Sequence, residues 1–216
     1  MCGIAMVRLL KPLDYYQKKY GTWQYGLQKM YLLMEKQHNR GQEGAGLACV
    51  KLDMPSGEEY ISRERFEGKN AIQDIFAKVN AQMENKPDEF FENPDLAKHE
   101  HPFAGEVYLG HLRYSTSGLS GISTVHPFLR RHNWKSRSLV LAGNFNLTNV
   151  DDIFEKLTLQ GQHPRSKADT FLILESLGNQ LDREVQREYD VVKQRYTNDV
   201  AITQKIEEQI DIASFV

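Results

Sequence analysis

Residue types able to do chemistry gather in five short stretches, and the first is Met1-Cys2-Gly3. A small residue after Met1 permits methionine aminopeptidase to act, which would make Cys2 the amino terminus. One residue would then carry both a thiol and a free α-amine. The thiol titrates near pH ~8.5 and the amine near ~7.7–8.0, so at neutral pH a base sits beside a latent thiolate. A nucleophile activated by its own amine is a route to covalent catalysis. Many chains begin Met-Cys by chance, so the remaining stretches must decide.

Each of the other four lies at an element boundary, where functional groups are usually presented. Arg40-Gly41-Gln42-Glu43-Gly44-Ala45-Gly46 is glycine-rich and follows a helix. It lacks the Lys-Ser/Thr of a phosphate-binding loop and the strand-first order of a dinucleotide fingerprint. Gly110 to Thr116 ends a strand with Arg113 and hydroxyl groups, a clamp suited to a carboxylate. Gly143-Asn144-Phe145-Asn146 puts an amide side chain and backbone N–H groups past a strand, as an oxyanion hole requires. Lys167-Ala168-Asp169-Thr170 sets a carboxylate at a helix start, where it pairs with an ammonium or simply caps the helix.

Composition narrows the surroundings. A net charge of −2 and only short basic runs argue against a dedicated nucleic-acid binder. Two cysteines, Cys2 and Cys49, are too few for a disulfide scaffold, a four-thiolate zinc site or an iron–sulfur cluster. Cys49 reads as an inert buried thiol. His99 and His101 have no partner ligands spaced for a metal, and none is expected. The opening is not a secretory signal, and no run of about 18 apolar residues exists to span a membrane. A cytoplasmic location is the expectation.

The elements that must position these groups follow from periodicity. Cys2 to Leu10 reads as a buried strand and Asp14 to Tyr20 as a connector. Trp23 to Gln37 reads as a helix with Leu27, Met30, Tyr31 and Met34 on its core side, ending at Asn39-Arg40-Gly41. Strands are predicted from Gly44 to Val50, Tyr60 to Phe66, Glu106 to Tyr114 and Ser138 to Ala142. Helices are predicted from Asn70 to Met83, around Ile153 to Leu157 and from Asp169 to Leu177. Residues 84–102 read as a surface insertion, and 181–216 as mostly helical.

In this order the stretches resemble the class II (N-terminal nucleophile) glutamine amidotransferases, and among them the glutaminase domain of the amidophosphoribosyltransferases. The resemblance rests on CGI at 2–4, QHNRGQEGAG at 37–46, GHLRYSTSG at 110–118, GNFNLTN at 143–149 and SKADT at 166–170. It implies an α+β fold, the four-layer αββα sandwich of N-terminal nucleophile hydrolases. It implies that Cys2 attacks the glutamine amide with its own α-amine as base. Asn144 and the Phe145 N–H would hold the oxyanion, Arg113 the α-carboxylate and Asp169 the α-ammonium, with Thr116 and neighbouring backbone completing the pocket. It further implies no cofactor in this domain, a phosphoribosyltransferase domain that uses Mg²⁺ and consumes the ammonia, and homo-oligomers.

Three departures from the family pattern stand out. Gly143 and Phe145 occupy the places of the family's His and Gly, Asn39 is an extra residue, and Phe171 stands where Glu is common. The family's next strand and its phosphoribosyl pyrophosphate motif have no counterpart before Val216, so the sandwich is expected to be incomplete at its C-terminal side. No propeptide or iron–sulfur cluster is expected. Two alternatives stay open: a catalytically incompetent fragment or interaction module of the same fold, and an N-terminal nucleophile hydrolase for another amide.

Overall fold

In the computed structural model, residues 2–55, 57–114 and 121–194 are described. They form two compact units, Met1–Pro127 with Ala142–Asn144, and Phe128–Leu141 with Phe145–Val216. The predicted helical segment beyond residue 194 lies outside the described residues.

The first unit is built on a four-stranded antiparallel sheet of order β1-β4-β2-β3. Its strands are β1 (Gly3–Arg8), β2 (Gly44–Val50), β3 (Ile61–Glu67) and β4 (Val107–Arg113). β2 and β3 make the predicted hairpin, Gly44 opposite Glu67 and Val50 opposite Ile61. β4 then inserts between β1 and β2, which sets Gly3 opposite Leu112 and Gly44 opposite Arg113. β2 is buried along Gly44–Cys49, and the small residues Gly44, Ala45, Gly46 and Ala48 let other chain segments approach it closely. β1 departs from the fully buried strand expected. It is an edge strand whose Ala5 turns inward while Ile4 and Met6 are exposed.

Helices α2 (Tyr25–Lys36) and α3 (Ala71–Ala81) cover this sheet. Leu27, Met30 and Met34 from α2, with Ile72, Ile75, Phe76 and Val79 from α3, close over Ala45, Leu47, Tyr108 and Leu112. The methionines are therefore core, as their spacing implied. Cys49 is fully buried here, and burial pushes its thiol far up, so it is inert.

Two segments are more ordered than their composition suggested. Leu13–Tyr20 is not a connector but a helix, α1, with an Asp14–Lys18 pair one turn apart and Gly21 closing it in the left-handed region. Residues 84–102, read as a surface insertion, are mostly exposed and hold two short helices, α4 (Asp88–Glu92) and α5 (Pro94–Glu100). Asn93 caps α5 by accepting from the Asp95 and Leu96 N–H groups. Phe90 and Ala97 are fully buried with Trp23, Leu9, Leu13 and Met83 in a second apolar cluster.

The second unit pairs β5 (Phe128–Arg130) with β6 (Leu139–Leu141) and packs them on α7 (Asp169–Lys193). α6 (Val150–Leu159) also lies on α7. The three-residue β5 has too short a pattern to be read from sequence. Phe171 meets Phe128 edge-to-face, with ring centroids 6.0 Å apart. An apolar partner thus explains an aromatic residue where the family favours Glu. The expected α+β class is what both units show, antiparallel strands with helices.

Truncation of Phe90 checks whether 84–102 belongs to the core. Phe90→Ala is expected to cost about 3–5 kcal/mol in denaturant unfolding, the range for a buried aromatic. A surface position would cost less than about 0.5 kcal/mol.

Candidate active site

Cys2 stands directly before β1 and is partly exposed. Because Gly3 pairs with Leu112, the next residues along, Cys2 and Arg113, lie at the same end of the sheet. The Tyr114 N–H donates to Cys2 Sγ at 3.5 Å, and the Tyr114 carbonyl lies 3.7 Å from the same sulfur. A nucleophile on a rigid strand end with a fixed donor is better placed than one on a loose terminus.

Arg113 ends β4 and is only 8% exposed. Its guanidinium lies 4.0 Å from the Glu43 carboxylate, and its carbonyl accepts from the Glu43 N–H at 3.2 Å. The Arg40-to-Gly46 passage is therefore laid against the Arg113 strand end. Gly41 makes this approach possible, since a Cβ there would stand 2.6 Å from the Leu112 and Arg113 carbonyl oxygens. Gln37, which begins the same passage, comes close to Gly3. Three of the five stretches thus converge on one end of a single sheet. Tyr114 and Gln37 were not singled out from sequence, because their contacts arise only once β1 and β4 pair.

The Gly143–Asn146 stretch is divided. Gly143 and Asn144 belong to the first unit and Phe145 to the second. Asn144 is exposed. Phe145 is 41% exposed and is not among the described residues with positive φ, which outside glycine are Asp53 and Asn85. Its bulk therefore imposes no left-handed strain. In the second unit Asp169 is the first residue of α7, behind Ala168 at the cap position. Its Oδ2 accepts from the Leu147 N–H at 2.9 Å, so one carboxylate oxygen ties Leu147 to the helix start. Thr116 lies outside the described residues.

Two histidines that sequence reasoning passed over lie in the first unit. His111, on β4, and His126 face each other with ring centroids 4.3 Å apart and their planes tilted by 42°. Burial holds His111 down to about 3 and His126 to about 4, helped by the facing ring at His111 and by nearby arginines, and opposed by a backbone hydrogen bond to Gly143. A histidine inside an apolar strand run was the available signal. Of the other histidines, His101 bonds the Val79 carbonyl and the Phe103 N–H, and burial lowers its pKa. Among the described residues no group of three or more His, Cys, Asp or Glu is arranged to hold a metal ion. Nor is any described helix long and apolar enough to cross a membrane.

No family model matches the chain. Curated proteins do. Amidophosphoribosyltransferase 3, chloroplastic, of Arabidopsis thaliana is 31% identical over 144 residues, covering 67% of this chain and 22% of that protein. Amidophosphoribosyltransferase of Bacillus subtilis is 28% identical over 167 residues, covering 76% of this chain and 29% of that protein. The chain belongs to the class II glutamine amidotransferases. It spans about a quarter of the length of these relatives. Among solved structures, the B. subtilis glutamine phosphoribosylpyrophosphate amidotransferase complexed with ADP and GMP is 26% identical over 81% of this chain, with a TM-score of 0.48.

The buried histidines predict a pH dependence. Their folded pKa values lie below the ordinary 6.5, so their contribution to stability is complete above pH 6.5. As pH falls toward 4 the unfolded chain binds protons that the folded chain refuses, and stability is lost. Thermal unfolding from pH 7.5 to 4 is expected to show this decline, with a shallower slope in His111→Leu.

Proposed function

We propose that this chain is a glutaminase module, hydrolysing glutamine to glutamate and ammonia with Cys2 as nucleophile. In the longer protein of which its relatives are examples, the ammonia would serve amidophosphoribosyl transfer. A phosphoribosyltransferase domain would there make 5-phosphoribosylamine from phosphoribosyl pyrophosphate. The observation that carries the reading is the meeting of Cys2 with the Arg113–Tyr114 strand end. It joins a thiol nucleophile to a buried guanidinium, in a chain related to amidophosphoribosyltransferases.

The chemistry follows from the groups. With Met1 removed, the Cys2 α-amine takes the thiol proton as sulfur attacks the side-chain amide carbon of glutamine. The oxyanion formed is met by the Asn144 amide and the Phe145 N–H, each such donor typically worth about 10²–10³ in rate. The amine then returns its proton to the leaving nitrogen, releasing ammonia and a γ-glutamyl thioester. Water hydrolyses the thioester and restores the thiol. Arg113 is the partner for the substrate α-carboxylate, a charge-assisted contact in which a guanidinium grips both oxygens. Asp169 is the partner for the α-ammonium. A carboxylate has about four acceptor sites, so its bond to Leu147 leaves capacity for this. Arg113 and Asp169 favour glutamine over a simple amide, because only an amino acid presents both charges.

The glutamine analogue 6-diazo-5-oxo-norleucine tests the nucleophile. Intact mass is expected to show one adduct on the wild type and none on Cys2→Ser or Cys2→Ala. Continued labelling of either variant sinks the proposal. Arg113→Ala is expected to raise KM for glutamine by about 10²-fold, equal to about 2.7 kcal/mol.

A further inference from the structure

His126 is held in place from several sides. The Arg65 guanidinium donates to the Val125 carbonyl at 2.7 Å, and the Arg63 guanidinium to the Pro127 carbonyl at 3.2 Å. The His126 carbonyl lies so close to β2 that a Cβ on Gly46 would stand 1.9 Å from its oxygen. Only a glycine accommodates that approach. The segment 125–127 is thus pinned by two strands, β2 and β3, and its ring rests on His111 of a third, β4. His111 itself sits between Ile4 of β1 and Gly46 of β2, is 1% exposed, and has the Gly143 backbone within its reach.

What this platform carries is Gly143. Its N–H lies 3.5 Å from His126 Nδ1, and the residue that follows it is Asn144. For Nδ1 to accept, the ring must be neutral with its proton on Nε2. The setting favours that state. The charged groups about the pair are the cations Arg113 on β4 and Arg65 on β3, the register partners Ile4 and Gly46 bring no charge, and both rings are buried. Burial and the cations oppose a second proton, and a backbone hydrogen bond to Gly143 works against them without restoring the ordinary value.

We propose that the His111–His126 pair is a positioning device, in which the pinned His126 ring anchors the Gly143 N–H and so sets Asn144 for the oxyanion. His111 packs against the His126 ring at a tilt and limits its movement. The inference rests on the glutaminase reading, and its direction is specific. A displaced oxyanion donor lowers turnover and leaves substrate affinity alone, because the donor matters most when charge develops in the transition state.

The test compares the full 216-residue wild type with His126→Leu, which removes the acceptor, and His126→Asn, which keeps one near the Nδ1 position. His126→Leu is expected to lower kcat for glutamine hydrolysis by about 10–100-fold, within the range for losing or misplacing such a donor. KM for glutamine and the rate of Cys2 alkylation by iodoacetamide should stay within about twofold. His126→Asn should recover kcat to within about threefold of wild type. Nitrogen-15 spectra are expected to show His126 as the neutral Nε2–H tautomer down to about pH 5, and the Gly143 amide signal should move in His126→Leu. An unchanged kcat in His126→Leu, equal losses in the Leu and Asn variants, or an Nδ1–H tautomer would each overturn the proposal. In a protein that fails to hydrolyse glutamine, the imidazole and Gly143 signals still decide whether the anchor exists. Failure of the glutaminase reading and failure of the anchor are therefore separate results.

Discussion

The constraint on which the rest of the first unit depends is the register of β4, paired on both sides in the sheet. Against β1 it sets Gly3 opposite Leu112, and against β2 it sets Gly44 opposite Arg113. Side chains alternate along a strand, so a slip of one residue would send Arg113 to the other face and take His111 away from His126. The register is fixed from both directions. Leu112 and Tyr108 are core residues beneath α2 and α3, while Gly41 and Gly46 permit approaches that any side chain would block. Apolar packing therefore decides where the polar groups stand. The thiol, the guanidinium and the histidine pair take their places as by-products of filling the core.

Electrostatics at this end of the sheet follow from burial. Arg113 keeps Glu43 within ion-pair range, and burial together with the nearby cations keeps the histidines neutral. A neutral imidazole offers the Gly143 N–H an acceptor without adding charge to that end of the sheet. The Asp169 carboxylate plays the complementary part in the second unit, tying Leu147 to the start of α7.

Much of this was legible in the sequence, and the failures have physical causes. Helical spacing of Leu27, Met30 and Met34 located α2, and the glycine-rich run after Arg40 marked a close approach. The two short helices within 84–102 were not read because they bury only Phe90, Pro94 and Ala97, too few residues for a periodic pattern. Three residues of β5 are likewise too few to alternate visibly. Tyr15, Lys18 and Lys19 looked like a connector because α1 buries only Leu13 of its eight residues. His126 escaped notice for a different reason. Its importance comes from contacts with β2, β3 and β4, and nothing local in Val125-His126-Pro127 announces them.

The pairing of residue 2 with residue 114 also has a consequence in time. These residues are 112 apart in sequence, and β4 is the last strand of its sheet to be made. At about 5–20 residues per second, synthesis takes on the order of 5–20 s to reach Tyr114 after Cys2 emerges. Through that interval β1 has no partner strand, and pairing over so long a loop is slow even afterwards. Until β4 is made, the Cys2 thiol therefore has neither the Tyr114 N–H nor the Arg113 strand end beside it.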